Sequence, residues 1–137
     1  MKVKVLAQGA WKVIAPLADD GSCELLDSLD ELGPKFDAHV LALYDIWAER
    51  IPKFGPKKLG NDLYRCVDDK AGIYEFRRGR IRVFSFIAPT GAVCVCTHAI
   101  LKDSQKVNKR AVTHAKRVKE HFDAAWNAKQ VRYVIDE

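Results

Sequence analysis

The chain has 137 residues, 48% hydrophobic and 30% charged, which fits one globular domain and excludes two substantial ones. No apolar run reaches the roughly 18 to 20 residues that span a bilayer, and the start lacks the apolar stretch of a secretory signal, so we expect one cytoplasmic domain over residues 1–137. Residues 1–71 hold ten Lys and Arg against twelve Asp and Glu, whereas residues 72–137 hold thirteen against six. Such a basic half is typical of proteins that bind nucleic acid, with a solvated lysine-rich helix face as the simpler alternative.

The N-terminal part predicts two strands followed by two helices. Residues 2–7 and 11–17 are expected to form strands joined as a hairpin. Ser22 is expected to N-cap a first helix that ends at Gly33, and Pro34 is expected to begin a second helix with one apolar stripe. The two helices should pair antiparallel and pack their apolar stripes on a sheet that follows in sequence.

The C-terminal part predicts β-structure and then one long helix. A Pro- and Gly-rich loop at residues 52–61 ends the helical half. Three runs rich in β-branched and aromatic residues predict an antiparallel meander; they cover residues 73–77, 80–87 and 92–98. Residues 107–125 predict an amphipathic helix with a basic outer face, and residues 131–135 a short last strand. The fold class is therefore α+β, a central antiparallel sheet with an N-terminal helix pair and a C-terminal basic helix.

A cluster of charged side chains is predicted on one face of the meander. A two-residue turn at residues 78–79 would place Arg80 opposite Arg77. Arg82 would then lie opposite Glu75, and because side chains alternate between the faces of a strand, all four share one face. Three cations near one carboxylate favour an anionic ligand, and a plain ion pair of Glu75 with Arg82 is the alternative. The opposite face should pack on the helix pair through Tyr74, Phe76, Ile81 and Val83.

Three motifs in the second half carry a family resemblance. They are residues 74–77 (Tyr-Glu-Phe-Arg), 82–84 (Arg-Val-Phe) and 98–106 (His-Ala-Ile-Leu-Lys-Asp-Ser-Gln-Lys). In this order they resemble the Trp/Tyr-Glu-Leu-Arg, Tyr-Arg-Val and His-Gly-Phe-x-Lys-Lys-Ser/Thr-Gln-Lys patterns of the RelE/HigB/ParE superfamily of bacterial toxins, and within it the phage-derived HigB-like branch. Ile81 and Asp103 stand where that family usually has Tyr and Lys.

The resemblance implies a RelE-like fold and the toxin of a type II toxin–antitoxin system. Such a toxin is a metal-independent mRNA endoribonuclease (mRNA interferase) without a cofactor, in which the ribose 2′-hydroxyl attacks the adjacent phosphate. The implied partners are mRNA, on or off the ribosome, and a helix-turn-helix antitoxin. The alternative is a non-catalytic protein of the same fold, either a ParE-like gyrase inhibitor or one that only binds nucleic acid or an antitoxin.

Four residues are candidates for the catalytic chemistry. Arg82, and after it Arg77, is expected to stabilise the phosphate, because a guanidinium binds phosphate oxygens in pairs and stays charged. Lys102 and His98 are candidates for proton transfer, with a solvated loop lysine and a half-buried structural histidine as the alternatives. The expected RNA-binding residues are Glu75, Arg80, Gln105, Lys106 and Lys109.

The cysteines predict neither a disulfide nor a metal site. Cys23, Cys66, Cys94 and Cys96 form no Cys-x-x-Cys motif, which indicates free thiols in a reducing compartment. Cys94, Cys96 and His98 occupy every second position of one predicted strand and should share a face, but no fourth ligand is evident. Buried thiols explain the pair more simply, so no metal is expected.

Overall fold

A computed structural model describes residues 1–103 and 106–135 of the chain. The strands are β1 (Lys2–Gln8), β2 (Lys12–Pro16), β3 (Tyr64–Asp68), β4 (Ile73–Arg78), β5 (Ile81–Ile87), β6 (Val93–Leu101) and β7 (Arg132–Val134). The helices are α1 (Glu24–Asp30), α2 (Asp37–Asp45), α3 (Ile51–Phe54) and α4 (Lys109–Asn127). No helix in this part of the chain is long and apolar enough to cross a membrane. All four cysteines are free thiols, as predicted.

The strands form one seven-stranded sheet in the order β3-β4-β5-β6-β2-β1-β7. The predicted meander is present as β4 to β6, and β1 pairs antiparallel with β2, as predicted. The sheet as a whole is mixed and not antiparallel, because β2 joins β6 and β1 joins β7 in parallel. Strand β3 was not predicted; only its first residue is buried, so its sequence lacks the apolar alternation that marks a strand.

Helices cover both faces of the sheet, and the α+β class is confirmed. One hydrophobic cluster lies under α1 and α2 and includes Leu25, Leu43, Trp47, Phe76, Ile81 and Val83, with Tyr74 packed against it. The other lies under α4 and includes Ile73, Phe84, Phe86, Ala115 and Phe122. The predicted division of β4 and β5 into a face toward the helix pair and an opposite face is therefore correct.

Helix α1 begins without the predicted cap. The N-cap position is Cys23, which makes no side-chain capping hydrogen bond. The Ser22 hydroxyl instead donates to Oδ1 of Asp20 at 2.6 Å, because the tight turn before the helix brings these two side chains together. The helix ends at Asp30, three residues before Gly33.

The second predicted helix is nearly continuous but irregular. It opens as a 3₁₀ turn over Pro34–Phe36, and α2 then continues through a π-helical turn at Ile46–Arg50 into α3. Pro52 has no N–H to donate to the preceding turn, which accounts for the wider spacing there. The loop predicted at residues 52–61 is shorter than expected, because it contains the end of α3 and a 3₁₀ turn at Pro56–Leu59.

Gly55 ends α3 in a conformation that favours glycine, with φ of 75° and ψ of 168°. A Cβ at this position would lie 2.6 Å from Cε2 of Trp11. Gly55→Ala should therefore lower the free energy of unfolding by about 3 kcal/mol, through backbone strain and the clash together. Gly21→Ala is the matched control, because Gly21 also has a positive φ but open space around it. Equal losses in urea denaturation would contradict a role for the Trp11 contact.

Candidate functional site

The turn between β4 and β5 decides which charged side chains meet. Arg77 pairs with Arg82, and Gly79 and Arg80 are the two turn residues, so the predicted turn began one residue too early. Gly79 takes φ of 55°, which two-residue hairpin turns of this kind require. Moving the turn by one residue shifts the register by two and leaves each side chain on its face. Glu75 therefore still shares a face with Arg77 and Arg82, while Arg80 lies in the turn.

Arg82 is buried, which its place in the sequence did not indicate. Its side chain is only 9% exposed. Nη1 donates to the carbonyl oxygens of Gly79 at 2.7 Å and Ile81 at 2.9 Å, so the guanidinium stabilises the turn between β4 and β5. Burial lowers the pKa of Arg82, the nearby charge of Arg77 lowers it further, and Glu75 opposes both effects.

Glu75 lies between two guanidinium groups. Its Oε1 is 3.7 Å from Nε of Arg77 and 3.7 Å from Nε of Arg82. These distances allow ion pairs but exceed hydrogen-bond length. Both Nε atoms are buried donors without a hydrogen-bond partner among the described residues. Because buried donors are normally satisfied, two unsatisfied guanidinium donors beside one carboxylate mark this place as a candidate functional site.

A small recess opens beside these donors at the N-terminal end of α4. Its lining consists of Glu75, Arg82, Phe84 and Ile100 from the sheet, and of Lys102, Lys106, Val107 and Asn108 from the segment before α4. Oδ1 of Asn108 accepts from the N–H of Ala111 at 3.0 Å, which caps α4 and fixes this wall. Arg82 borders this recess together with Val107 and Asn108 and therefore does not lie on an open face.

Further cations surround the recess. Nε of Arg80 donates to the carbonyl of Lys102 at 3.2 Å, which ties the β4–β5 turn to the end of β6. Lys109 begins α4, and together with Lys106 it lines an adjoining groove. The predicted RNA-binding residue Gln105 lies outside the described residues. The local charge is strongly positive, as the sequence predicted.

His98 is not among the residues that line the recess, and a bulge in β6 changes the face on which it lies. Phe84 pairs with His98, but the next residue, Ser85, pairs with Cys96, so β6 holds one extra residue. The bulge turns His98 toward α4, whereas Cys94 and Cys96 stay in the cluster under α1 and α2. The prediction that these three side chains share a face is therefore wrong.

His98 is packed between aromatic rings. It stacks on Phe84 with ring centroids 5.2 Å apart, and the ring of His114 stands edge-on to it at 4.7 Å. Its Nδ1 lies 2.8 Å from the Thr97 hydroxyl. Burial lowers the pKa of His98 to about 4, His114 contributes in the same direction, and Glu24 opposes them. The imidazole is therefore neutral at pH 7.

Two residues that reach His98 were missed by sequence reasoning. Glu24 comes from the start of α1, and His114 comes from α4; they are 90 positions apart and touch each other at 2.6 Å. Neither lies in a motif or near the basic cluster, so no local sequence signal could have joined them to His98.

The comparisons with known proteins give one family match and one structural likeness. Residues 27–120 match the model of the family described as Phage derived protein Gp49-like. None of the curated proteins matches the sequence significantly. Among solved structures, the chain is similar to one chain in the crystal structure of the toxin–antitoxin complex RelBE2 from Mycobacterium tuberculosis. That similarity has a TM-score of 0.43 and 17% sequence identity, and it covers 64% of this chain and 95% of the other.

Proposed function

We propose that this chain, which belongs to the Phage derived protein Gp49-like family, is the toxin of a type II toxin–antitoxin pair and an mRNA endoribonuclease. The three motifs that resemble RelE/HigB/ParE toxins all fall within the family match, which supports the toxin assignment. The observation that carries the nuclease proposal is the pair of unsatisfied guanidinium donors of Arg77 and Arg82 beside a recess rimmed by lysines.

The proposed reaction is attack of the ribose 2′-hydroxyl on the adjacent phosphate, which leaves a 2′,3′-cyclic phosphate. It needs a proton acceptor, cations that stabilise the crowded phosphate, and a donor for the leaving 5′-oxygen. The guanidinium groups of Arg77 and Arg82 would stabilise the phosphate by their positive charge, and Glu75 would position both groups through its ion pairs. Lys102 lines the recess and is the proposed proton-transfer residue. Side-chain cations thus supply the charge that a metal ion supplies in other nucleases.

The other predicted site residues take supporting roles in this proposal. Arg80, Lys106 and Lys109 would hold neighbouring phosphates without reading sequence, and Gln105 is proposed to assist them. His98 would not transfer a proton, because it is buried and lies outside the recess. Instead it stacks on Phe84, which lines the recess, and holds that ring in place.

The proposed partners are cytoplasmic mRNA and an antitoxin with a helix-turn-helix domain. Both rest on the resemblance of the three motifs to HigB-like toxins. An open reading frame for a short helix-turn-helix protein beside this gene would support the pairing, and co-expression of that protein should restore growth to cells arrested by this chain.

One observation favours a second candidate function. The Nη1 group of Arg82 already donates to two backbone carbonyls and the side chain is buried, which is the environment of a structural arginine. A non-catalytic member of the same fold, acting as a ParE-like gyrase inhibitor or only binding nucleic acid or an antitoxin, would need no free Arg82. Such a protein would arrest growth while mRNA stays intact.

Arg77→Gln should lower the rate of mRNA cleavage about tenfold or more, because it removes one phosphate-binding cation and leaves the others. The matched control is Arg78→Gln, which removes the same charge from an exposed side chain on the opposite face of β4. Cleavage rates are measured in translation extracts with and without ribosomes, after circular dichroism shows that both variants are folded. Equal losses in the two variants would mean that net charge alone matters, and the assignment of Arg77 would fail.

A further inference from the structure

The sheet splits where α1 lies beside β6. Strands β2 and β6 pair only as far as Ile14 and Val95. Beyond that point the N–H of Ala99 in β6 donates to the hydroxyl of Ser28 in α1, at 2.9 Å, in place of a neighbouring strand. Helix α1 therefore closes the open edge of β6, and its first residue, Glu24, reaches α4 on the other side of the sheet.

Glu24, His98 and His114 meet at this split. Nε2 of His114 is 2.6 Å from Oε1 of Glu24, and one ligand atom from each of the three residues lies within 4.8 Å of the other two. Ligands of a tetrahedral zinc ion are about 3.3 Å apart, given metal–ligand bonds of about 2.0 to 2.1 Å. Side-chain shifts of about 1 to 1.5 Å would therefore bring the three atoms into coordination. Glu24 and His114 have room to shift, since their side chains are 53% and 40% exposed.

The ring of His98 is held in the orientation that a ligand needs. The Thr97 hydroxyl donates to the carbonyl of Phe84, at 3.2 Å, so its oxygen is free to accept from Nδ1–H of His98. With the proton on Nδ1, the lone pair is on Nε2. Histidines that bind metals commonly donate their second ring N–H in this way, which fixes both tautomer and ring direction.

The surroundings favour a cation. The cleft between α1 and α4 is lined by three carboxylates, those of Glu24 and Asp27 in α1 and of Glu31 directly after it. Their negative charge attracts cations to the mouth of the cleft, and Glu24 itself belongs to both the cleft and the cluster. Because Glu24 lines the cleft, water there lies beside one of the three ligands.

We propose that Glu24, His98 and His114 bind a divalent transition-metal ion of the zinc class, with water from the cleft in the fourth position. Two histidines and one glutamate are an established ligand set for zinc. Because the ligands come from α1, β6 and α4, the ion ties together two helices that lie on opposite faces of the split sheet. The site is separate from the basic recess, which none of its ligands lines.

The test uses the full chain without a histidine tag, stripped with EDTA and titrated with zinc chloride by calorimetry. The wild type should bind one ion per chain and melt at a higher temperature with zinc. His114→Gln and Glu24→Gln should each weaken binding by at least about 10²-fold, more than loss of a residue that only orients a ligand. His121→Gln is the matched control, because His121 lines the same cleft but lies outside the cluster, and it should bind as the wild type does.

Substitution with Co²⁺ gives a second readout, since a tetrahedral site shows intense visible absorption that His114→Gln should abolish. Cys66→Ser tests for capture of the ion by the exposed thiol and should leave the spectrum unchanged. The proposal is overturned if the wild type shows no saturable binding of one ion per chain. It is equally overturned if His114→Gln and Glu24→Gln both bind zinc as the wild type does.

Discussion

Arg82→Ala should lower the free energy of unfolding by about 3–5 kcal/mol, because it breaks a buried ion pair from one side. The substitution removes the donor that satisfies the carbonyls of Gly79 and Ile81, and it leaves Glu75 buried with one cation fewer. An ion pair on an open face would contribute only about 0–1 kcal/mol. Urea denaturation of the wild type and the variant measures the difference.

The control replaces both members of the pair. Glu75→Gln combined with Arg82→Met removes the buried charges and keeps side-chain volume, so it should recover a large part of the loss seen in Arg82→Ala. Unchanged stability in Arg82→Ala would show that the guanidinium is not buried in solution. The expected loss also explains why Arg77, and not Arg82, is the residue on which cleavage should be tested.

Acidification from pH 6.5 to pH 4 should destabilise the protein by about 3 kcal/mol through His98 alone. The folded state lowers the pKa of His98 from 6.5 to about 4. The unfolded chain therefore takes up a proton first as the pH falls. Stability from the neutral ring is fully present above the unfolded value and is lost as the pH falls toward the folded one. Denaturation in EDTA-containing buffer across this range measures the slope without a contribution from bound metal.

His98→Gln separates the loss of stability caused by protonation of His98 from the loss caused by protonation of Asp and Glu side chains. The variant is expected to be less stable than the wild type at pH 7 and to lose less stability on acidification, because glutamine does not titrate. His121→Gln, at an exposed position of α4, should keep the wild-type dependence on pH. A slope in His98→Gln as steep as that of the wild type would contradict the burial of a neutral His98.

Much of the fold could be predicted because local patterns determine it. The alternation along residues 73–87 placed Phe76 and Val83 toward the helix pair and Arg82 toward the other face, and the helical spacing of apolar residues located α4. The error in the position of the turn did not change which side chains lie on each face of β4 and β5, since a register change of two residues keeps every side chain on its face. Strand β3 escaped prediction because its residues show no apolar alternation. The parallel pairings escaped it because they join segments that are far apart in the sequence.

The sequence predicted which charged side chains form the candidate site, but it did not predict that Glu75 and Arg82 are buried. The sequence placed Glu75, Arg77 and Arg82 on one face. The burial of Arg82 depends on tertiary packing near Val107 and Asn108, which no local pattern indicates. His98 was misplaced for a different reason: one extra residue in β6 reverses the faces beyond it, and no residue type marks that bulge in the sequence.

The ends of the RNA products distinguish the proposed attack of the ribose 2′-hydroxyl from other ways of arresting growth. Purified wild-type chain is added to translation extracts with and without ribosomes, in the presence of EDTA where ribosomes are absent, and the 3′ ends of the fragments are analysed. We expect fragments that end in 2′,3′-cyclic phosphate, formed at a much lower rate with Arg77→Gln and at the wild-type rate with Arg78→Gln. Intact mRNA in both extracts, from a preparation that still arrests growing cells, would contradict the nuclease and leave the non-catalytic alternative.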